Sequence, residues 1–232
     1  MLPRQLAASG PVMVTYDPDR SSSGEGTIAP GHRAGRHERR GMFVQVIEGK
    51  VGDRSMLLSQ VDKWVKELAP GATGWLGHTA GVATDGTFFA AVRFESAEAA
   101  KANSDRPEQG EWWAETSRCI EGDARFTDCR EVDTIGLSAG SDDAGFVQVM
   151  QGRGDREAML VASRGLAGFF ARLRPDVLGA YVAWEGGDRF VQLVYFTSEA
   201  EARAGESRRQ IVISAVKFER FIDLPEPWLA SG

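Results

Sequence analysis

Apolar and polar residues recur along the chain with two different periods. Short runs such as FVQV from Phe43 and TFFAAVRF from Thr87 have the apolar and β-branched content of strands. Between them lies a stripe in which apolar residues return every three or four positions: Leu57, Val61, Trp64, Val65 and Leu68. That spacing is typical of one face of a helix, which Pro70-Gly71 would end.

The same pattern is written twice. FVQVIEGKVGDR from Phe43 is answered by FVQVMQGRGDR from Phe146, and FFAAVRFESAEA from Phe88 by FVQLVYFTSEAEA from Phe190. We also align Gly74 with Gly179. Because the matches keep their order and spacing over most of each copy, the chain is predicted to be an internal duplication.

Each copy predicts the order β-α-β-β-α-β. Asp53, Ser96 and Ser198 are suited to cap helices, while TDG at 84–86 and GGD at 186–188 are suited to hairpin turns. Last strands are predicted near 124–132 and 216–223. The second helical stripe consists of Met159, Ala162, Leu166, Phe169, Phe170 and Leu173. The predicted fold is α+β, with two ferredoxin-like repeats that each have an antiparallel sheet covered by helices on one face.

Helices would cover one face of each sheet, yet strands such as TFFAAVRF are apolar on both faces. We therefore expect the two bare faces to pack together as an intramolecular α/β barrel. The predicted organisation is a tail over 1–41, repeat 1 over 42–135, a polar linker over 136–145 and repeat 2 over 146–232. SRRQIVISAV, from Ser207, stands in repeat 2 where repeat 1 has a longer second helix.

Residues 1–41 show neither strand nor helix periodicity and are rich in Gly, Ser and Arg, so they are predicted to be disordered. RAGRHERR, which ends at Arg40, is interpreted as a solvated segment or a basic contact arm. A third hypothesis starts from Glu38-Arg39-Arg40, which a purine-rich ribosome-binding sequence could encode. Met42 would then be the native start and residues 1–41 a translated leader.

Composition limits the partners. The net charge is −6, and because residues 1–41 hold six Arg against four acids, the remainder carries −8, which disfavours a nucleic-acid partner. No apolar run approaches the roughly 20 residues of a membrane span, and no secretory signal begins the chain. A bacterial, cytoplasmic protein is predicted, with Cys119 and Cys129 as reduced thiols.

The stretch GWLGHTAGVATDGTFFAAVRFESAEAAKANSDRPEQGEWWAE from Gly74 combines a glycine-aromatic strand, a D-G hairpin, an aromatic strand with arginine, S-x-E-A-A and P-E-x-x-x-W-W. These motifs resemble the dimeric α/β-barrel superfamily, in particular its antibiotic-biosynthesis monooxygenase-like branch. The resemblance implies a barrel that single-repeat members complete by dimerising. It also implies stabilisation of an anion without a cofactor.

Strand parity predicts which side chains face the barrel interior. Phe88, Ala90, Val92 and Phe94 suit the helix-covered face, so Arg93, and likewise Tyr195 in repeat 2, should face between the sheets. Gln45 and Gln148 are predicted to point inward because their Val neighbours suit the helix layer. Aligning His78 with Ala183, and Leu76 with Tyr181, places His78 and Tyr181 on a common parity.

Such a cavity would bind a flat, oxygenated aromatic or polyketide-like molecule. His78 would act as a base and Arg93 would stabilise an enolate or phenolate. The predicted ligand-binding residues are Gln45, Trp112, Trp113, Gln148, Tyr181 and Tyr195. The two adjacent tryptophans diverge by about 100° on a helix, so one should enter the cavity and the other pack between helix and sheet. Each residue also has a structural interpretation: a hydrogen-bonded histidine, an ion-paired arginine, packed tyrosines.

We predict a cofactor-independent monooxygenase or isomerase, or alternatively a non-catalytic ligand-binding or stress-response module. No cofactor or metal is expected, because His32, His37 and His78 do not cluster and no phosphate-binding glycine motif occurs. Haem is disfavoured because the predicted helices carry no histidine. The chain is expected to be a monomer with an internal pseudo-dimer, or a homodimer.

Overall fold

The computed structural model of the chain describes residues 41–135, 138–206 and 216–232. Residues 1–40 of the predicted tail at 1–41, residues 136–137 of the predicted linker and the stretch 207–215 lie outside this range. The side chains of Leu166, Phe169, Phe170 and Leu173, which complete the second helical stripe, also lie outside the description.

The first repeat follows the predicted order and divides its second helix in two. Its elements are β1 Phe43–Val51, α1 Arg54–Lys63, a π turn Trp64–Leu68, a 3-10 turn Ala69–Gly71, β2 Trp75–Val82, β3 Thr87–Phe94, α2 Ala97–Ser104, α3 Pro107–Thr116, a 3-10 turn Ser117–Cys119, β4 Ile120–Cys129 and β5 Glu131–Thr134. The short strand β5 has no counterpart in the sequence-based prediction.

The second repeat has the same order. Its elements are β6 Phe146–Gly154, α4 Arg156–Leu173, β7 Val177–Gly186, β8 Arg189–Phe196, α5 Glu199–Glu206, β9 Val216–Leu224 and β10 Trp228–Ser231. The final strand β10 was also not predicted. The repeated α+β, ferredoxin-like organisation is thereby confirmed.

Local sequence signals fix the ends of these elements. The Asp53 carboxylate accepts from the Met56 amide at 2.9 Å and begins α1, and the Ser96 hydroxyl accepts from the Ala99 amide at 3.1 Å and begins α2. Gly86 has a φ of 81° in the β2–β3 turn, a conformation that glycine adopts without steric cost. The predicted caps and hairpins of the first repeat are therefore confirmed.

The two sheets exchange their edge strands. The first has the order β10-β2-β3-β1-β4 and the second β5-β7-β8-β6-β9. Strand β5 follows β4 along the chain but pairs with β7, while β10 follows β9 but pairs with β2. Each repeat thus supplies one edge strand of the sheet that the other repeat forms. Backbone hydrogen bonds therefore join the two repeats in addition to side-chain packing.

The bare faces of the sheets meet in one shared core. Val44, Val46 and Phe89 from the first sheet pack in a single buried cluster with Tyr181 and Leu193 from the second. The predicted face-to-face packing of the repeats is confirmed. Closure of the two sheets into a barrel stays a prediction.

Strand pairing corrects the alignment of the second strands. Gly77 lies opposite Arg93, and Gly179 lies opposite Tyr195, so Gly77 and not Gly74 is the equivalent of Gly179. Both second strands have a register shift at this place, between Trp75 and Gly77 in the first sheet and between Val177 and Gly179 in the second. Because side chains alternate between the faces of a sheet, an alignment displaced by three residues assigns every side chain of the strand to the wrong face.

Candidate functional site

A cavity of about 330 Å³ lies between the first sheet and its helices. Strands β1, β2 and β3 form its floor, helices α1, α2 and α3 form its walls, and Phe126 of β4 borders it. The sequence placed the candidate cavity between the two sheets. The described cavity lies instead on the opposite face of the first sheet, under the helices.

Two rows of paired residues make the floor. The first row runs across the sheet as His78, Val92 and Gln45, each opposite the next, and Asp128 of β4, opposite Gln45, lies outside the cavity lining. The second row runs as Ala80, Ala90, Ile47 and Phe126. The polar side chains of the floor are therefore confined to one row. His78 and Gln45 lie on strands that β3 separates, so their backbones are roughly 10 Å apart.

The second row of the floor contains two small side chains, those of Ala80 and Ala90, and the cavity occupies the space above them. At the equivalent places in the second sheet, Val182 takes the position of Ala80 and Gln192 that of Ala90. Val182 packs there with Trp184, Phe190 and the α4 residue Met159. The two alanines thus provide the floor space of the cavity in the first repeat.

Tryptophans form much of the wall. The π turn widens the end of α1 and presents Trp64, while α3 presents both Trp112 and Trp113 to the cavity. The prediction that only one of the α3 tryptophans would line a pocket is wrong, because both line this cavity, with ring centres 6.0 Å apart. The Trp112 indole N–H donates to the Gln60 carbonyl at 2.8 Å, which fixes that ring.

A chain of hydrogen bonds at the wall leaves the side-chain N–H₂ of Gln109 without a partner among the described residues. Arg106 can only donate, and its Nη1 binds Asn103 Oδ1 at 2.9 Å. Asn103 Nδ2 then donates to Gln109 Oε1 at 3.3 Å, and the Trp64 indole donates to the same oxygen at 2.7 Å. The amide N–H₂ of Gln109 is left to donate to a ligand, since both neighbours fix the amide's orientation.

His78 is buried among aromatic rings. Its imidazole packs edge-on against Trp64 at 6.4 Å and lies 6.1 Å from the Trp75 ring. No hydrogen bond to His78 occurs among the described residues. Burial, reinforced by the positive charge of Arg93, lowers the pKa of His78 to about 4, so the ring is neutral at pH 7.

Gln45 and Gln148 face their helix layers, and the prediction that both point between the sheets is wrong. Gln45 borders the cavity, and its Nε2 donates to Asp128 at 3.0 Å. Gln148 makes the equivalent contact with Asp223 at 3.2 Å. The prediction assumed that the neighbouring valines belong to the helix layer, but these valines pack in the inter-sheet core.

The remaining predicted residues lie outside the cavity. Arg93 is buried on the inter-sheet face as predicted, and its Nη1 donates to the Ala139 carbonyl at 2.7 Å, which ties the inter-repeat segment to the sheet. Tyr195 Oη and Thr79 Oγ1 are 2.5 Å apart in the inter-sheet core. Burial raises the pKa of both Tyr181 and Tyr195, so these hydroxyls stay protonated at neutral pH.

The structure therefore separates two groups that the sequence placed together. His78, Gln45, Trp112 and Trp113 share the cavity under the helices, while Arg93 and the two tyrosines lie on the other face of the sheet. Gln109 was not identified from the sequence. Its position four residues before Trp113 on a predicted helix is the signal that could have found it.

The described residues lining the cavity include no Asp, Glu, Lys or Arg. They hold a neutral imidazole, amides and a few hydroxyls within an apolar and aromatic surface. Elsewhere in the described chain, no three His, Cys, Asp or Glu side chains come together as metal ligands, and no helix is long and apolar enough to cross a bilayer. The cavity thus suits a neutral molecule.

No protein-family model and no curated protein match the chain. Among solved structures, a candidate monooxygenase from Fusobacterium nucleatum is 11% identical with a TM-score of 0.66, over 82% of this chain and 94% of that one. Another from Lactobacillus acidophilus is 13% identical with a TM-score of 0.62, over 82% and 96%. An anthrone oxidase-like protein is 12% identical with a TM-score of 0.54, over 84% and 95%. The chain therefore shares the tandem ferredoxin-like fold of monooxygenase-like proteins.

Proposed function

We propose that the cavity binds a flat, neutral aromatic ketone or phenol of the polyketide type, and that the protein oxidises this molecule with dioxygen and no cofactor. The observation that carries the proposal is the position of His78. A neutral imidazole that has no hydrogen bond to any described residue faces an aromatic cavity, where it can accept a proton from a bound molecule.

The cavity supplies complementary contacts for such a molecule. Its volume of about 330 Å³ is within the range of small-ligand sites. The rings of Trp64 and Trp112 offer flat apolar surfaces, and the free amide N–H₂ of Gln109 can donate to a ligand carbonyl. Gln45 Oε1 can accept from a ligand hydroxyl, because its Nε2 is engaged by Asp128. One neighbour in fold is named as anthrone oxidase-like, and anthrone is a ketone of this class.

The chemistry begins with transfer of an acidic C–H proton from the ketone to His78. The resulting carbanion gives one electron to dioxygen, and the radical pair combines to form a C–O bond. The peroxide takes back the proton held on His78, and loss of water leaves a second carbonyl. Overall a CH₂ group and O₂ become C=O and H₂O, with dioxygen as the only oxidant.

The low pKa of His78 sets a condition on this reaction. Burial makes the imidazole a weak base, but a carbanion formed beside the ring attracts the imidazolium charge and raises its pKa. Gln109 would stabilise the same anion by donating to the enolate oxygen. A hydrogen bond to charge that develops during reaction is worth more than one to the neutral substrate.

Oxygen consumption with anthrone as the probe tests the proposal. The protein should form anthraquinone that carries one atom from heavy-oxygen-labelled dioxygen, and His78→Gln should lower kcat about a hundredfold while anthrone still binds. Gln45→Ala tests a second residue that borders the cavity, and Gln148→Ala is its matched control. Each variant removes a Gln–Asp contact, but only Gln45 borders the cavity. Catalysis by His78→Gln at the wild-type rate would contradict the proposal.

A second candidate is a non-catalytic ligand-binding module. It is favoured by the absence of a cation among the described cavity-lining residues, since Arg93 lies on the other face of the sheet and cannot contact an enolate there. Binding of anthrone without oxygen consumption would support this function. Exchange of the acidic C–H proton with deuterium oxide, again without oxygen consumption, would indicate an isomerase.

A further inference from the structure

The cavity reaches solvent at one side of α3. Most residues that line it are buried or half-buried, and the exposed ones are Ser104 at the end of α2, Gly110 in α3 and Phe126 on β4. Gly110 is on α3 and Phe126 is on β4, the edge strand of the first sheet. The opening is therefore a gap between a helix and a strand.

Gly110 stands in the interior of α3, where glycine destabilises a helix relative to alanine. Its φ is not positive, so the backbone conformation does not require glycine. A β-carbon built at this position would meet nothing within 4 Å, so packing does not require glycine either. Neither of the usual structural reasons for glycine applies to this position.

The ring pair next to Gly110 shows what a side chain would do there. Trp113, one turn further along α3, packs edge-on against Phe126 with ring centres 5.0 Å apart. This contact spans the gap between the helix and β4. One turn earlier the gap stays open, because Gly110 has no side chain with which to span it.

We propose that Gly110 forms the entrance to the cavity and that its missing side chain sets the width of the ligand that can pass. The proposal rests on the proposed ligand-binding function of the cavity. Flat ring systems pass edge-on between Gly110 and Phe126, while ligands with bulky groups out of the ring plane are excluded. Gly110 is in this sense a determinant of specificity and not a catalytic residue.

Stopped-flow tryptophan fluorescence with anthrone tests the entrance, because Trp64, Trp112 and Trp113 line the cavity and report on its occupancy. Gly110→Leu should slow anthrone association about tenfold and dissociation by a similar factor, so that Kd changes little. Gly110→Ala should slow association less than Gly110→Leu, because a methyl group narrows the entrance less, and should unfold at a higher temperature. Ala114→Leu is the matched control, since Ala114 is exposed on α3 and outside the cavity lining.

Acrylamide quenching separates this proposal from the proposed function. If anthrone does not bind the wild type, the proposed function fails, but acrylamide is a small neutral quencher that still reports access to the cavity tryptophans. Gly110→Leu should lower its bimolecular quenching constant and Ala114→Leu should leave it unchanged. Equal quenching constants for the two leucine variants, or a lower unfolding temperature of Gly110→Ala, would overturn the proposal.

Discussion

Acid sensitivity of folding should depend on His78. The pKa of this side chain is about 4 in the folded protein, against 6.5 for an ordinary histidine. As the pH falls from 6.5 to 4, His78 therefore binds a proton in the unfolded chain but stays neutral in the folded protein. Since one pKa unit corresponds to about 1.4 kcal/mol, this residue alone should lower the free energy of unfolding by about 3 kcal/mol across that interval. Above pH 6.5 the residue adds no pH dependence.

Urea unfolding of the wild type and His78→Gln, at pH values between about 4 and 7.5, measures this contribution. Carboxylates titrate in both proteins, so the difference between the two curves isolates the histidine. The wild type should lose about 3 kcal/mol more than the variant on acidification. Proton NMR gives an independent measurement of the His78 pKa. Parallel stability curves, or a His78 resonance that titrates near 6.5, would refute the reasoning.

Three further outcomes are expected. Ala90→Gln, which copies the second sheet, should weaken anthrone binding at least about tenfold in a fluorescence titration, because the new side chain occupies the floor of the cavity. Gln151→Glu should lower the free energy of unfolding by about 2 kcal/mol at pH 7, since it places a carboxylate against buried Glu48. In urea unfolding, part of this free energy should return below about pH 5, where one carboxylate of the new pair is protonated. Arg93→Met should raise the pKa of His78 in NMR titrations, because it removes a nearby positive charge. The affinity for anthrone should stay within about twofold of the wild type, because Arg93 lies outside the cavity lining. About tenfold weaker binding would place Arg93 in the site.

The sequence was sufficient for the architecture because duplication, strand parity and caps agree with one another. Asp53 and Ser96 cap the predicted helices, and the two FVQV strands lie at corresponding places in the two sheets. The exchanged strands β5 and β10 were missed, since four residues at a sheet edge carry little periodicity. Their partners belong to the other repeat, and local sequence cannot indicate a partner at that distance.

The face of His78 could not be predicted for a different reason. Glycine-containing strands fix their register poorly, and the sequence has a glycine at both 74 and 77, so either could be aligned with Gly179. The choice of Gly74 gave His78 the parity of Tyr181 and so assigned it to the cavity that the predicted barrel would have between its sheets. The cavity itself was hidden because its floor depends on two small residues, Ala80 and Ala90, and an alanine in a strand is an ordinary core residue.

The two repeats differ where they meet as well as where they bind. Glu48 and Gln151 occupy equivalent positions on β1 and β6, and the Gln151 amide donates to the Glu48 carboxylate. Two glutamates at this contact would repel each other, so the glutamine lets the copies pair within one chain. The positive charge of Arg125 balances the negative charge of the Glu48 carboxylate. A symmetric dimer of separate subunits must place identical residues at both positions and cannot make this choice. Fusion removes that constraint, and the same freedom allows the first sheet to keep alanines and His78 under its helices while the second sheet packs larger side chains there.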